Sequence, residues 1–194
     1  MNDITCRAMA AEDLHIHMMD SFDRHQEITH ILRKNGRVKK LRKPRVEDWP
    51  AGGKTNFVKN WFIPDVYKRQ YFGGEPKLFA AFRGDQVVAF ANWRFMGKDH
   101  VYLKAKKGRD GDYAMLDRLF VSRDCRRMGL GRQLFHLCAE AARAEGAHMM
   151  YISTEPAVET QAFYRSVGCV KSKVDLGRVT RSPKHDIPLE YSLA

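Results

Sequence analysis

The hydrophobic pattern predicts strands and one amphipathic helix along the second half of the chain. Short apolar runs at 77–82, 86–94, 115–121 and 149–153 each have the length of a strand. A Gly-Asp turn joins the first two runs and predicts a hairpin. Apolar side chains then recur at helical spacing from Arg132 to Arg143, between the last two runs. The order is therefore hairpin, central strand, helix and strand.

The pattern continues to the C-terminus with one more helix and one more strand. Val158 to Val167 has the spacing of a helix. Near the end, apolar residues alternate with polar ones at Ile187, Leu189, Tyr191 and Leu193. This alternation predicts a closing strand at the edge of the sheet.

The first half has weaker periodicity. Ile4 to Met9 alternates and predicts an opening strand. Ala10 to Ser21 and Thr55 to Lys68 predict two helices, the second of them interrupted by Pro64. Between these helices lies Asn35-Gly36, a strong two-residue hairpin signal because both central residues need positive φ. We therefore predict a β-hairpin across about Thr29 to Leu41.

Composition indicates one globular domain. The chain has 194 residues, with 44% hydrophobic and 29% charged residues, and no apolar run approaches the ~20 residues of a membrane span. The N-terminus lacks the layout of a signal peptide. Four cysteines without metal-like spacing predict reduced thiols in a cytoplasmic protein, with Cys138 and Cys169 in the core and Cys125 more exposed and open to modification. We expect no membrane partner.

The stretch LDRLFVSRDCRRMGLG, Leu116 to Gly131, is the main functional signal. A strand feeds a glycine loop that opens a helix, and the unpaired N–H groups of a first helical turn favour a bound anion. Arg126, Arg127 and Arg132 supply countercharge. The glycine spacing is neither that of a Walker loop nor that of a dinucleotide-binding fold.

Arg-x-x-Gly-x-Gly after Leu-Phe-Val resembles motif A of the GNAT superfamily of acyl-CoA-dependent N-acyltransferases. A second motif follows at Tyr151 to Val170, YISTEPAVETQAFYRSVGCV. The resemblance covers about Lys77 to Val170. It implies an α/β, single-domain GNAT fold over 1–194, with a mixed central sheet, a splayed strand pair, flanking helices and the β-hairpin inserted between the first two helices. It divides the chain into a variable acceptor-side half (about 1–76), a coenzyme-binding core (about 77–170) and closing strands (about 171–194).

The resemblance implies acetyl-CoA as co-substrate and no metal. The central strand would hold the pantetheine arm, and a backbone N–H near Leu119 or Phe120 would meet the developing oxyanion. The loop would hold the pyrophosphate. The implied coenzyme-binding residues are Leu119, Phe120, Val121, Arg126, Arg127, Met128, Gly129, Leu130, Gly131 and Arg132.

Catalytic candidates follow from the second motif. Tyr164, four residues before Gly168, matches the family's proton donor to the leaving thiolate, although a packed helix aromatic is the alternative. The base stays open between Asp117 and Glu155, either of which is otherwise a solvated or ion-paired charge. The chain departs from the family in having Met115 at the site of a frequent glutamate and Ala157 at that of a frequent asparagine.

The acceptor site is the least determined region. In the GNAT fold the hairpin region forms one wall of this site, and a surface excursion is the alternative. We expect Asp23, His25 and Glu27 in the acceptor pocket. The eight histidines form no metal-ligand cluster in the sequence.

Much of the net charge of +11 is concentrated in Arg33 to Arg45. This segment is interpreted either as a nucleic-acid contact or as a solvated face that attracts coenzyme phosphates. It lacks interleaved aromatics and any RNA-binding signature, so we expect no nucleic-acid partner.

These patterns predict an N-acetyltransferase that moves an acetyl group from acetyl-CoA to a primary amine of a small molecule, by direct attack in a ternary complex. The alternatives are acetylation of a protein N-terminus or lysine, and a non-catalytic CoA- or RNA-binding module. The oligomeric state stays open, with a homodimer as one alternative.

Overall fold

The computed structural model describes residues 3–63, 77–96, 113–174 and 185–194. Within these ranges seven strands form one mixed sheet in the order β1-β4-β5-β6-β7-β9-β8, and β2 pairs with β3 in a separate sheet. The strands are β1 (Ile4–Ala8), β2 (Gln26–Leu32), β3 (Val38–Glu47), β4 (Leu78–Arg83), β5 (Gln86–Met96), β6 (Tyr113–Val121), β7 (Met149–Thr154), β8 (Val170–Lys171) and β9 (Ile187–Ser192). The predicted α/β fold with a mixed sheet is confirmed.

The same ranges contain α-helices α1 (Gly53–Phe57), α2 (Leu130–Ala144) and α3 (Val158–Ser166). Helix α2 is amphipathic and buries Leu134, Phe135 and Cys138. Helix α3 ends as the sequence predicts, because Gly168 takes a left-handed φ of 96° and the Cys169 amide donates to the Tyr164 carbonyl at 3.0 Å.

Residues of the first compact unit surround an aromatic core. The unit comprises Met1–Gln26, Glu47–Arg94 and Arg118–Ala141. The Phe90 ring lies 5.0 Å from that of Phe62 and 5.9 Å from that of Phe22, and all three side chains are buried. Met18 and Met19 join the same cluster. This core supports β4, β5 and the end of β6.

The second compact unit comprises Glu27–Val46, Phe95–Asp117 and Ala142–Ala194. Strand β6 pairs in parallel with β7 only from Tyr113, opposite Met149, to Leu116, opposite Ile152. Beyond Leu116, β6 continues to Val121 without a partner residue in that ladder. The predicted splayed strand pair is therefore present, and it begins at Asp117.

The β2–β3 hairpin is confirmed and is longer than predicted. The predicted turn type is wrong, because Gly36 has a φ of 81° but Asn35 lacks the positive φ that a two-residue Asn-Gly turn requires. The Gly36 amide donates to the Arg33 carbonyl at 2.8 Å, and the Arg33 amide donates to the Arg37 carbonyl at 2.9 Å. Strand β3 extends to Glu47, beyond the predicted end of the hairpin at about Leu41. The hairpin precedes α1 as expected, but within residues 3–25 no α-helix precedes the hairpin.

The helix predicted over Ala10 to Ser21 is wrong. Only a 3-10 turn at Ala11–Asp13 forms, followed by non-helical turns. The Met18 carbonyl accepts a hydrogen bond from the Val87 amide of β5 at 2.7 Å. In a helix this carbonyl would instead accept from an amide of the same helix. Three apolar residues of this segment are spaced two apart, which suits an extended chain.

The second predicted helix is helical as far as the described residues extend, and it begins at Gly53. Helix α1 passes into a π-helical turn at Val58–Phe62. The remainder of the Thr55 to Lys68 prediction, from residue 64, lies outside the described residues.

The closing strand is present but is not an edge strand. Strand β9 lies between β7 and β8. Its outer neighbour is anchored by Glu190, whose carboxylate accepts the Ser172 hydroxyl at 2.9 Å and the Lys173 amide at 3.2 Å. The two-residue β8 was too short to recognise from periodicity.

Candidate active site

The glycine loop adopts a strand-turn-helix geometry. After β6, a 3-10 turn at Arg123–Cys125 leads into a loop in which Arg127 and Gly129 have φ of 68° and 84°. Both values are left-handed, which is ordinary for glycine and uncommon for arginine. The Gln133 amide donates to the Gly129 carbonyl at 3.0 Å, so Gly129 is the N-terminal cap of α2.

The first turn of α2 is suited to an anion. Glycine has no side chain that could accept the first-turn amides, and space is open where a Cβ would stand at Gly129. The side chains of Arg127 and Arg132 are exposed at this helix end. A cavity of about 350 Å³ begins at Gly129 and follows α2 past Arg132 and His136 to Glu140. These features fit a pyrophosphate, because amides, helix dipole and arginines all favour negative charge.

Arg126 has a different position from the other two arginines. Its guanidinium is half-buried and donates to the Val121 and Arg24 carbonyls, both at 3.1 Å. Burial lowers the pKa of Arg126 from its ordinary value. Arg126 therefore joins the end of β6 to the segment before β2. These hydrogen bonds to backbone carbonyls distinguish Arg126 from Arg127, whose side chain is exposed.

A buried hydroxyl anchors the turn that precedes the loop. Ser122 is fully buried, and its Oγ accepts the Asp23 amide at 3.0 Å and donates to Asp124 at 2.6 Å. Arg83 adds an ion pair to Asp124 at 2.8 Å. The Ser122 hydroxyl, then the Arg83 guanidinium, hold the pKa of Asp124 below its ordinary value. Sequence reasoning did not single out Ser122 or Arg83, since their partners are remote in the chain.

The C-terminal part of β6 supplies the predicted coenzyme-binding strand. Leu119, Phe120 and Val121 are half-buried and lie beyond the β6–β7 ladder. The Phe120 ring is 5.5 Å from that of Phe90, and the Arg24 guanidinium lies 4.7 Å above it. Packing therefore fixes the strand while its backbone continues past the pairing with β7.

Tyr164 lies on α3 in the second unit. Its side chain is 7% exposed, and its ring contacts that of Phe163 edge-on at 5.0 Å. Asp117, one of the two base candidates, is half-buried and directly follows the last residue paired with β7.

Glu155, the other base candidate, belongs to an ion-paired group. Its carboxylate accepts a hydrogen bond from Arg45 on β3, and His185 Nε2 lies 3.6 Å from it. Asp186 completes a cluster whose ligand atoms with Glu155 and His185 lie within 4.8 Å of one another. Sequence reasoning missed Arg45 and His185, because 110 residues separate Arg45 from Glu155 and no local signal links them.

The three acceptor-pocket candidates have different positions. The Asp23 carbonyl accepts the Arg123 amide at 2.8 Å, which ties this residue to the turn before the loop. His25 Nδ1 lies 3.3 Å from Asp48. Glu27 is an exposed residue of β2. Asp23 and His25 therefore make structural hydrogen bonds, and their place in the acceptor pocket stays a prediction.

The cysteines are less accessible than predicted. Cys125, expected to be exposed, is fully buried and receives a hydrogen bond from Arg83 at 2.8 Å. The Cys125 side chain therefore faces β4 and not solvent. Burial raises the pKa of the Cys125 and Cys6 thiols, and it raises that of Cys169 to about 12. Cys138 is also buried, as expected.

A family model described as the acetyltransferase (GNAT) family matches residues 39–169, more than half of the chain. The chain belongs to this family. It is therefore an acyl-CoA-dependent N-acyltransferase, and acetyl-CoA is the co-substrate that the family binds. The glycine loop and the splayed pair both lie within the matched residues.

Solved structures share the fold at low identity. Nourseothricin acetyltransferase matches with a TM-score of 0.65 and 15% identity, covering 98% of this chain and 99% of its own. The PaiA N-acetyltransferase from Thermoplasma acidophilum in complex with coenzyme A matches at 0.59 and 12%, covering 98% and 99%. The ribosomal-protein-S18-alanine N-acetyltransferase from Escherichia coli matches at 0.56 and 16%, covering 99% and 95%. A comparison with curated proteins gave no match.

Among the described helices, none combines the length and apolar character that crossing a membrane requires.

Proposed function

We propose that this GNAT protein transfers an acetyl group from acetyl-CoA to the primary amine of a small molecule, by direct attack in a ternary complex. Two of the fold neighbours named above differ in acceptor, since one is named for nourseothricin and another for an alanine of a ribosomal protein. The fold therefore leaves the acceptor class open. The observation that carries our choice is the attachment of the β2–β3 hairpin.

Both strands of the hairpin are attached to residues 155–157, between β7 and α3. The Leu32 amide donates to the Pro156 carbonyl at 2.7 Å, and Ile31 forms a β-bridge with Ala157. From the other strand, Arg45 pairs with Glu155. An extended peptide acceptor would need exposed backbone along such a segment, whereas this one is already engaged. A covered segment supports a compact acceptor.

The reaction forms one bond and breaks another. The amine nitrogen attacks the thioester carbonyl carbon, and the C–S bond to coenzyme A then breaks. Tyr164 would donate its phenolic proton to the leaving thiolate, since a phenol has an ordinary pKa near 10 and can protonate sulfur as it leaves. Amides near Leu119 and Phe120 would receive the charge on the carbonyl oxygen.

The base is either Asp117 or Glu155. A base must lie within hydrogen-bond reach of the amine proton, directly or through one water. Asp117 is half-buried at the first position beyond the β6–β7 ladder. The Glu155 carboxylate accepts a hydrogen bond from Arg45, which would have to be released for Glu155 to take the proton.

The test is release of free CoA from acetyl-CoA across matched acceptors. The panel pairs small amines (amino acids, polyamines and aminoglycosides) with an N-terminal peptide and a lysine peptide. We expect turnover with a small amine and intersecting initial-velocity lines, which a ternary complex gives and a ping-pong reaction does not. Turnover with a peptide alone would transfer the assignment to the protein-acetylating alternative. Parallel lines would refute direct attack.

A further inference from the structure

A second pocket lies within the second compact unit. It occupies about 370 Å³ between the turn of the β2–β3 hairpin, the C-terminal half of α3, and strands β8 and β9. Apolar side chains of the hairpin and of the two strands form much of its wall. In the part of the chain that the structure describes, Gln161 and four basic residues line it, namely Arg33, Lys34, Arg165 and Lys171.

The side-chain oxygen of Gln161 accepts no hydrogen bond from any described residue. The residue is 2% exposed, and its Nε2 donates to Thr154 Oγ1 at 2.6 Å and to the Glu155 carbonyl at 3.0 Å. A backbone carbonyl can only accept a hydrogen bond. The Gln161 side-chain atom that faces the Glu155 carbonyl must therefore be the amide nitrogen. Oε1 is then buried without a hydrogen-bond partner among the described residues. A buried polar atom without a partner is uncommon and destabilising, so a ligand donor at this position would be favoured.

The four basic residues define the charge of the ligand. All four are exposed, and across the described ranges none has an acidic side chain in an ion pair with it. Four unpaired cations around one cavity repel each other, and an anion between them would reverse that effect. A cationic ligand would be repelled, although an ammonium could satisfy Gln161.

Cys169 contributes no competing charge. Its thiol lines the pocket and is buried, and burial raises its pKa to about 12, so the sulfur is neutral at physiological pH. Among the described lining residues, a neutral thiol leaves the arginine and lysine side chains as the only charged groups.

We propose that this pocket binds a small oxyanion that also carries a hydroxyl donor, as hydrogen phosphate does. The anionic oxygens would meet Arg165 and Lys171, and the hydroxyl would donate to Gln161 Oε1. The pocket is separate in sequence and in structural unit from the glycine loop, whose residues are all in the first unit.

Phosphate and sulfate provide the matched probes. Both are tetrahedral oxyanions of similar size, but only phosphate keeps an O–H at neutral pH. Titration calorimetry of CoA-saturated protein, in which the loop is filled, should show phosphate binding about tenfold more tightly than sulfate. Equal affinity for the two ions, or binding of neither at millimolar concentration, would overturn the proposal.

Variants separate the two features. Gln161→Leu should remove the preference and leave both ions equal, because the donor no longer gains a partner. Arg165→Ala with Lys171→Ala should weaken both ions about tenfold or more while the preference remains. Lys39→Ala with Lys43→Ala removes the same charge from exposed positions of β3 and should change neither.

If Gln161→Leu lowers folding stability, the Arg165→Ala/Lys171→Ala protein still tests the proposal, because both of its substituted residues are exposed. Undiminished phosphate binding in the Arg165→Ala/Lys171→Ala protein would contradict the proposed position of the anion. Loss of phosphate binding in the Lys39→Ala/Lys43→Ala control would indicate a general effect of net charge and would equally contradict it.

Discussion

The glycine loop and the Glu155 cluster are both built from charged groups, but their residues come together differently. The loop is one continuous segment, Ser122 to Arg132, whose shape follows from left-handed φ angles at Arg127 and Gly129. The cluster joins Arg45, Glu155, His185 and Asp186 from three parts of the sequence. Its geometry depends on the hairpin and on the position of β9.

The comparison shows that a functional signal is readable where the chain itself forms the site. A glycine that opens a helix predicts an anion site from a few residues. An ion pair across 110 residues has no such signature, and its cost or benefit depends on burial. The same molecule therefore has one region that is specified locally and one that is specified by packing.

The largest expected effect is that of Tyr164→Phe. This variant tests helix α3, which follows Glu155 in the chain. Loss of the phenolic proton should lower kcat about 100-fold and leave the KM for acetyl-CoA nearly unchanged, because the ring still packs against Phe163. Steady-state kinetics measures both constants. Phe163→Leu is the control and should retain kcat. An unchanged kcat in Tyr164→Phe would reduce Tyr164 to a packing residue.

Gly129→Ala tests the locally specified region. A left-handed residue with a Cβ is strained by about 1–2 kcal/mol, so the loop should relax and the KM for acetyl-CoA should rise about tenfold. Gly84→Ala imposes the same strain at φ 63°, also with open space for the Cβ, in the β4–β5 turn. It should lower stability without changing KM. Equal effects on KM would show that the loop responds only to general destabilisation.

Ser122→Ala tests whether the loop is as local as it appears. Removing the buried hydroxyl leaves the Asp23 amide, 99 residues away, without its acceptor. The free energy of unfolding should fall by about 1–3 kcal/mol in chemical denaturation. Ser166→Ala removes an exposed hydroxyl that donates to the Phe163 carbonyl and should change it little. A neutral Ser122→Ala would confirm a fully local loop.

The Arg45–Glu155 pair should couple only weakly, although it connects two distant segments. Its side chains are 37% and 26% exposed, so solvent screens the interaction. A double-mutant cycle with Arg45→Met and Glu155→Gln should give a coupling energy of about 1 kcal/mol or less. A coupling of several kcal/mol would make this pair a principal anchor of the hairpin.

The smallest effect concerns pH and Asp124. Its pKa is lowered in the folded protein, so its contribution to stability is present at neutral pH and is lost as pH falls through its ordinary value toward the lowered one. The side chain is 52% exposed, which keeps the effect small. Asp124→Asn should flatten the loss of stability below about pH 4. The same slope in both proteins would assign acid sensitivity to other carboxylates.

The sequence was sufficient for elements with a strong local pattern. Strands β4 to β7, helix α2 and the hairpin turn at Asn35-Gly36 follow from periodicity and glycine placement. The conformation of the glycine loop was predictable for the same reason. Because one motif combines strand, turn and helix start, its shape needed no knowledge of distant residues.

The failures occurred where tertiary pairing replaced local preference. The segment over 10–21 is not helical because Met18 pairs with β5. Strand β9 is internal because Glu190 holds β8 outside it. Cys125 is buried by Arg83, which precedes it by 42 residues. None of these contacts has a signal within its own stretch of sequence.

The state of the cysteines has a practical consequence for assaying this enzyme. Cys125, Cys138 and Cys169 are buried, and Cys6 is half-buried with a pKa above its ordinary value. A disulfide reagent that changes colour on meeting a thiolate reports free CoA, the product of the reaction. Folded protein should therefore contribute almost no colour of its own, and a rapid signal before substrate is added would measure the unfolded fraction of the sample.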